Sequence, residues 1–196
     1  MSIDLVIEIA GFLLGLLYLW YEYHANPRLW LVSVIMPAIS MYIYYSRGLY
    51  ADFGINIYYL LIALYGYIHW THSRDKSKAA KKERDVSHTP VWGWGIVMLS
   101  LALLWGALWY FLTTFTDSTV PVADAFTTAF SIVATWMLAR KWAEQWIAWI
   151  VIDIVCVGLY IYKGIYFYAT LYAVYTLIAF FGYRKWCRLI PPDTSE

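Results

Sequence analysis

The residues of this chain best suited to chemistry lie in one apolar run, Gln145-Trp146-Ile147-Ala148-Trp149-Ile150-Val151-Ile152-Asp153. It sets two indoles and a carboxylate inside a stretch long enough to cross a bilayer. On a helix Trp146, Trp149 and Asp153 stand at i, i+3 and i+7 and share a face, which Cys156 and Tyr160 continue one and two turns on. A charged carboxylate near the bilayer centre costs at least ~2.5–3.5 kcal/mol on insertion scales, so it faces protein or a water-filled passage. Two indole faces beside a buried anion make a receptacle for a flat, cationic small molecule. The plainer alternative is that Asp153 bonds a neighbouring helix while the tryptophans pack against lipid.

Other polar groups fall at helical spacing. Asp124, Thr127, Thr128, Ser131 and Thr135 wind down one face of the 121–139 run, either as helix–helix contacts or as a polar lining. Asp52, Asn56, Tyr59, Ala63 and Gly66 share a face of the 50–71 run, and Tyr168, Tyr172, Tyr175, Ala179 and Gly182 share one of the 165–186 run. The candidate substrate-binding residues are therefore Trp146, Trp149, Asp153, Tyr160, Asn56, Tyr59, Tyr172, Tyr175, Thr128, Ser131 and Thr135. His69 and His72 are three apart, but no third ligand or H-E-x-x-H pattern accompanies them. Walker, G-x-S-x-G and Rossmann glycine patterns are absent, so no metal, cofactor, enzymatic reaction or ATP-driven pumping is expected.

The elements that must position these residues follow from composition. Of 196 residues 62% are hydrophobic and 14% charged, with mean hydropathy +0.57, which is a membrane-embedded rather than a soluble balance. Aromatics make up 20%, more than two interfacial belts need, so many must line internal surfaces. A net charge of +1 gives no indication of a nucleic-acid partner. Cys156 and Cys187 lie on different expected helices at different depths, which argues against a disulfide. Asp4 and Glu8 precede the first apolar run in place of a basic segment, so that run is expected to be a retained helix, not a signal peptide.

The fold expected is an all-α membrane protein with seven transmembrane helices, at 3–23, 29–46, 50–71, 92–115, 121–139, 143–162 and 165–186. With the polar 72–91 loop placed in the cytoplasm, 12 of the 14 basic residues fall on that side, leaving Arg47 and Lys163 opposite. The N-terminus is then outside and the C-terminus cytoplasmic. Pro37 is expected to kink the second helix.

Shifted by 116 residues, the first three helices lie on the last three without a gap. Trp20 meets Trp136, Trp30 meets Trp146, Tyr44 meets Tyr160, Gly48 meets Gly164, Gly66-Tyr67 meets Gly182-Tyr183 and Trp70 meets Trp186. The organisation is a three-helix repeat (1–71), a basic loop (72–91), a linking helix (92–115), a second repeat (121–186) and a tail (187–196). One intervening span gives both repeats the same orientation, a parallel pseudo-two-fold of the kind transporters use around a mid-membrane site. Where the halves differ, Asp153 stands opposite Pro37 and Trp149 opposite Ser33.

These residues resemble the PnuC family of bacterial vitamin transporters over nearly the whole chain. The likeness rests on Gly48-Leu49-Tyr50-Ala51-Asp52, Tyr65-Gly66-Tyr67-Ile68-His69-Trp70, Trp146-Ile147-Ala148-Trp149 with Asp153, and Lys163-Gly164-Ile165-Tyr166. The resemblance implies a SWEET-like fold, a homotrimer in the bacterial inner membrane, and facilitated diffusion of an unphosphorylated vitamin trapped by a cytosolic vitamin kinase. It implies nicotinamide riboside as the foremost cargo and thiamine as the alternative; both are flat cations suited to Asp153. Riboflavin is neutral and larger and fits less well. Some nicotinamide riboside carriers of the family have Asn in the place of Asp153. The competing class is a non-transporting structural or sensory membrane protein whose aromatics only pack.

Overall fold

A computed structural model of the chain describes residues 3–46, 50–72, 85–117 and 119–191, with side chains described in these except at 3–12, 36, 40, 43, 44, 46 and 50–52. Arg47, Gly48, most of the basic loop and the end of the tail, and the side chains of Tyr44, Tyr50 and Asp52, lie outside this set. The described residues form seven helices: α1 (Ile3–Tyr23), α2 (Arg28–Ser46), α3 (Tyr50–Thr71), α4 (Val91–Phe115), α5 (Pro121–Ala139), α6 (Gln145–Tyr162) and α7 (Tyr166–Leu189). α4 to α7 are each long and apolar enough to cross a membrane.

The boundaries follow local chemistry. The Asn26 side chain accepts the backbone N–H of Arg28 (3.0 Å) where α2 begins, and Pro90 and Pro121 stand at the starts of α4 and α5. α2 is continuous through Pro37. The sixth helix starts at Gln145, two residues later than expected, because Trp142–Glu144 form a turn tied to the segment before α4. There Ser87 bridges Trp142, and its carbonyl accepts from Ala143 N (3.0 Å).

The chain divides into two compact units. Unit 1 is Met1–Asp85 with Ala139–Lys141, and unit 2 is Val86–Leu138 with Trp142–Glu196. In unit 1, α2 packs on α1 and α3, with Leu29, Trp30, Ala63 and Trp70 enclosed. Trp70 Nε1 donates to the Ala139 carbonyl (3.2 Å), Lys141 Nζ sits 4.5 Å over the Trp70 ring, and Arg140 donates to the Tyr65 hydroxyl (3.1 Å). Two of the basic residues used to orient the chain therefore also fasten this corner.

In unit 2, α6 and α7 pack along each other. One core gathers Val97, Val133, Met137 and Trp142; a second gathers Ala134, Ile152 and Cys156, with Phe130, Trp149, Tyr160 and Tyr172 against it. Only Gly93 and Val97 of α4 are buried, so nearly all of this apolar helix faces outward.

The same local contacts recur 116 residues apart. Asn26 N donates to Tyr21 O (2.9 Å) and Trp142 N to Met137 O (3.1 Å); Leu29 N donates to Asn26 O (3.1 Å) and Gln145 N to Trp142 O (3.3 Å). Ala25 and Lys141 each take a left-handed φ, 50° and 63°, which puts the same unusual backbone in both turns. Trp30 meets Trp70 edge-on (5.6 Å, 89°) and Trp146 meets Trp186 edge-on (5.9 Å, 86°). Each of the first two rings lies on a glycine. A Cβ on Gly182 would come within 2.7 Å of Trp146, and one on Gly66 would collide with Trp30.

Candidate functional site

α6 delivers the candidate residues from one end to the other. Trp146 is fully buried on Gly182 and Trp186, as Trp30 is on Gly66 and Trp70. Trp149, three residues on, is only half-buried and packs against the Ala134, Ile152 and Cys156 cluster. The two indoles that sequence spacing put on one face therefore have different surroundings.

Asp153 is 5% exposed. Among the described residues its carboxylate has no hydrogen bond or ion pair. An unpaired carboxylate so enclosed is unfavourable unless a counter-charge or donor reaches it.

Three tyrosines of α7 extend the wall. Tyr160 of α6 stacks on Tyr168 (5.3 Å, 24°) and on Tyr172 (5.3 Å, 16°), and Tyr172 meets Tyr175 edge-on (5.9 Å, 80°). The structure thus joins Tyr160, Tyr168, Tyr172 and Tyr175 into one aromatic surface, and Trp149 packs against the same apolar cluster as Tyr160 and Tyr172. On α5, Thr128 donates to Asp124 O (2.8 Å) and Thr135 to Ser131 O (2.7 Å), so these hydroxyl protons satisfy their own helix. Ser131 is half-buried one turn before Thr135. Asn56 and Tyr59 lie on α3 in unit 1, both half-buried, with Tyr59 edge-on to Tyr58 (5.5 Å).

Two features escaped the sequence analysis. Gln145, the first residue of α6, is 0% exposed, and both polar atoms of its amide lack a hydrogen-bond partner. Glu144 beside it is well satisfied. One oxygen accepts from His88 Nδ1 (2.6 Å), and the other accepts from Thr89 N (2.7 Å) and Thr89 Oγ1 (2.8 Å). Burial pushes the Glu144 carboxyl up, but these bonds outweigh it and hold it below its ordinary value. The only hint in the sequence was a lone acid two residues before the W-x-x-W element.

A separate apolar cleft of about 360 Å³ lies between α4 and α5, lined by Ala102, Trp105, Gly106, Trp109 and Val122. It carries no ionisable group and none of the candidate residues.

Seven helices among the described residues, four of them long and apolar enough to cross a membrane, define the class: a multi-pass, all-helical membrane protein. The chain matches the nicotinamide mononucleotide transporter family over residues 5–188, and it belongs to that family. It is 25% identical to the nicotinamide riboside transporter PnuC of Escherichia coli (strain K12), over 92% of this chain and 84% of that protein. It is 26% identical to the riboflavin/roseoflavin transporter RibM of Streptomyces davaonensis, over 91% of this chain and 83% of that one. The crystal structure of the vitamin B3 transporter PnuC shares the fold, with a TM-score of 0.63 at 22% identity over 90% of this chain and 78% of that chain.

Proposed function

We propose that the chain is a vitamin uptake transporter of the bacterial inner membrane and that its cargo is nicotinamide riboside, a flat pyridinium. The observation that carries this reading is Asp153, an enclosed carboxylate without a partner beside Trp149 and the tyrosine wall. A cationic ring supplies the charge that Asp153 lacks, and the aromatic groups supply its stacking surface. In this scheme Trp146 anchors the scaffold, while Trp149, Asp153, Tyr160, Tyr172 and Tyr175 meet the cargo. Thr128, Ser131 and Thr135 border the passage with acceptor oxygens.

The architecture proposed is seven spans in two parallel three-helix repeats joined by α4, as in a full-length SWEET, with the N-terminus outside. The recurring turns and tryptophan pairs support the repeat, and the charge distribution supports the orientation. Transport is facilitated diffusion by a homotrimer, made one-way by a cytosolic kinase that phosphorylates the cargo. Thiamine, also a flat cation, is the alternative that the same carboxylate favours.

The test is titration of purified Asp153→Asn against nicotinamide riboside, thiamine and riboflavin, with melting temperature measured on the same sample. Loss of a charge-assisted contact lowers affinity for the cationic cargo about ten- to a hundredfold, or about 1–3 kcal/mol, without lowering the melting temperature. Unchanged affinity with earlier melting would make Asp153 a helix-packing residue and move the site elsewhere.

A further inference from the structure

The two units allow the scaffold to be subtracted from the site. Trp30 Nε1 and Trp146 Nε1 are both buried without partners, so that feature belongs to the shared packing and carries no functional information. Three polar groups remain that α6 has and α2 lacks. Gln145 replaces Leu29, Trp149 replaces Ser33, and Asp153 replaces Pro37. They stand at i, i+4 and i+8, adjacent along one stripe of α6. The Gln145 amide, the Trp149 N–H and the Asp153 carboxylate all lack a partner among the described residues. In unit 1, by contrast, Ser33 Oγ donates to Trp30 O (2.9 Å) and Leu29 has nothing to satisfy.

Leu29 and Gln145 are both 0% exposed and make the same backbone bond to the preceding turn. An apolar side chain therefore suffices for packing at this place. An enclosed amide without partners weakens the fold, so its presence at the start of α6 calls for a role outside folding.

We propose that Gln145 is a specificity-determining residue that reads the carboxamide of the cargo. A primary amide offers a donor and an acceptor side by side, and a carboxamide presents the complementary pair, so the two close a ring of two hydrogen bonds. Side chains on a helix lean toward its N-terminus, which carries the Gln145 amide away from Asp153. A pyridinium held at Trp149 and Asp153 then turns its substituent toward Gln145. The amide is enclosed in this conformation, so the pairing forms as arriving cargo displaces the packing at the start of α6. This assignment rests on the cationic-vitamin reading above and adds to it which edge of the ring is recognised.

The experiment compares wild type, Gln145→Leu and Gln145→Met as full-length purified proteins. Each is titrated with nicotinamide riboside and with the riboside of unsubstituted pyridine, and each is melted without ligand. The wild type prefers the carboxamide compound, about tenfold or more. Both variants lose that preference, bind pyridine riboside as the wild type does, and melt at the same temperature or higher. A preference retained in either variant, or both variants failing to fold, overturns the assignment and makes the amide structural. Wild-type protein that binds neither riboside is a different failure: it removes the nicotinamide reading itself. If it binds thiamine instead, whose aminopyrimidine offers a similar donor–acceptor edge, the loss is read on thiamine, and undiminished thiamine binding by the variants overturns the role of Gln145.

Discussion

α2 and α6 are built alike at their starts and diverge along one stripe. Both follow a turn containing a left-handed residue, and both bury a tryptophan edge-on to a second tryptophan across a glycine. Beyond that, α2 continues with Ser33 and Pro37, whereas α6 continues with Trp149 and Asp153. Shared groups are those that packing requires, because each half must close its own helix triplet. Unshared polar groups have no equivalent packing task, and in α6 the Gln145 amide, the Trp149 N–H and the Asp153 carboxylate lack partners among the described residues. The comparison separates scaffold from site inside a single chain.

The largest effect should fall on what the halves share. Trp30→Ala and Trp146→Ala each empty a tryptophan-sized volume, at about 3–5 kcal/mol of stability. Similar losses in thermal or denaturant unfolding in detergent are expected, since the two rings have matching neighbours. A much smaller loss for Trp146→Ala, combined with abolished binding, would return that indole to the ligand face and break the comparison.

Next comes a feature of unit 2 alone. Position 28, the counterpart of Glu144, is an arginine, and Glu144 ties the segment before α4 to the start of α6. Glu144→Gln exchanges charge-assisted bonds for neutral ones, about 1–2 kcal/mol. The folded-state carboxyl lies below its ordinary value, so its stabilisation is complete above an unfolded pKa of about 4.3 and disappears as pH falls through the folded value. Wild-type melting temperature should therefore drop on acidification below about pH 4, with the variant showing less of that drop. Parallel curves for the two proteins would mean that the clamp contributes nothing measurable.

The smallest effect sharpens the contrast. Trp149→Ala should weaken cargo binding by about 0.5–2 kcal/mol through lost stacking and cation–π attraction. Ser33→Ala, at the matching place in α2, should leave affinity unchanged. Equal effects from the two substitutions in calorimetric titration would mean that the stripe on α6 is not the specific one.

Much of this was legible in the chain. Hydropathy placed the helices to within a few residues, because the apolar length of a span is set by neighbours in sequence. The 116-residue register of Trp, Gly and Tyr pointed to equivalent positions before any contact was known. The clamp of His88 and Thr89 on Glu144 was not legible, since its partners are 55 and 56 residues apart in the chain, with α4 and α5 between them.

By itself the sequence determined a polytopic helical membrane protein, the stripe that carries Trp149 and Asp153, and the places where the two halves differ. These depend on composition and on the 3.6-residue period of a single helix, which fixes how side chains point relative to their own axis. Only the tertiary structure decided which residues of that stripe are enclosed, that Trp146 belongs with Trp186 and Gly182, and that Gln145 is sealed while its neighbour Glu144 is satisfied. The period of one helix cannot supply that, because burial and partnership depend on what the facing helix or loop presents.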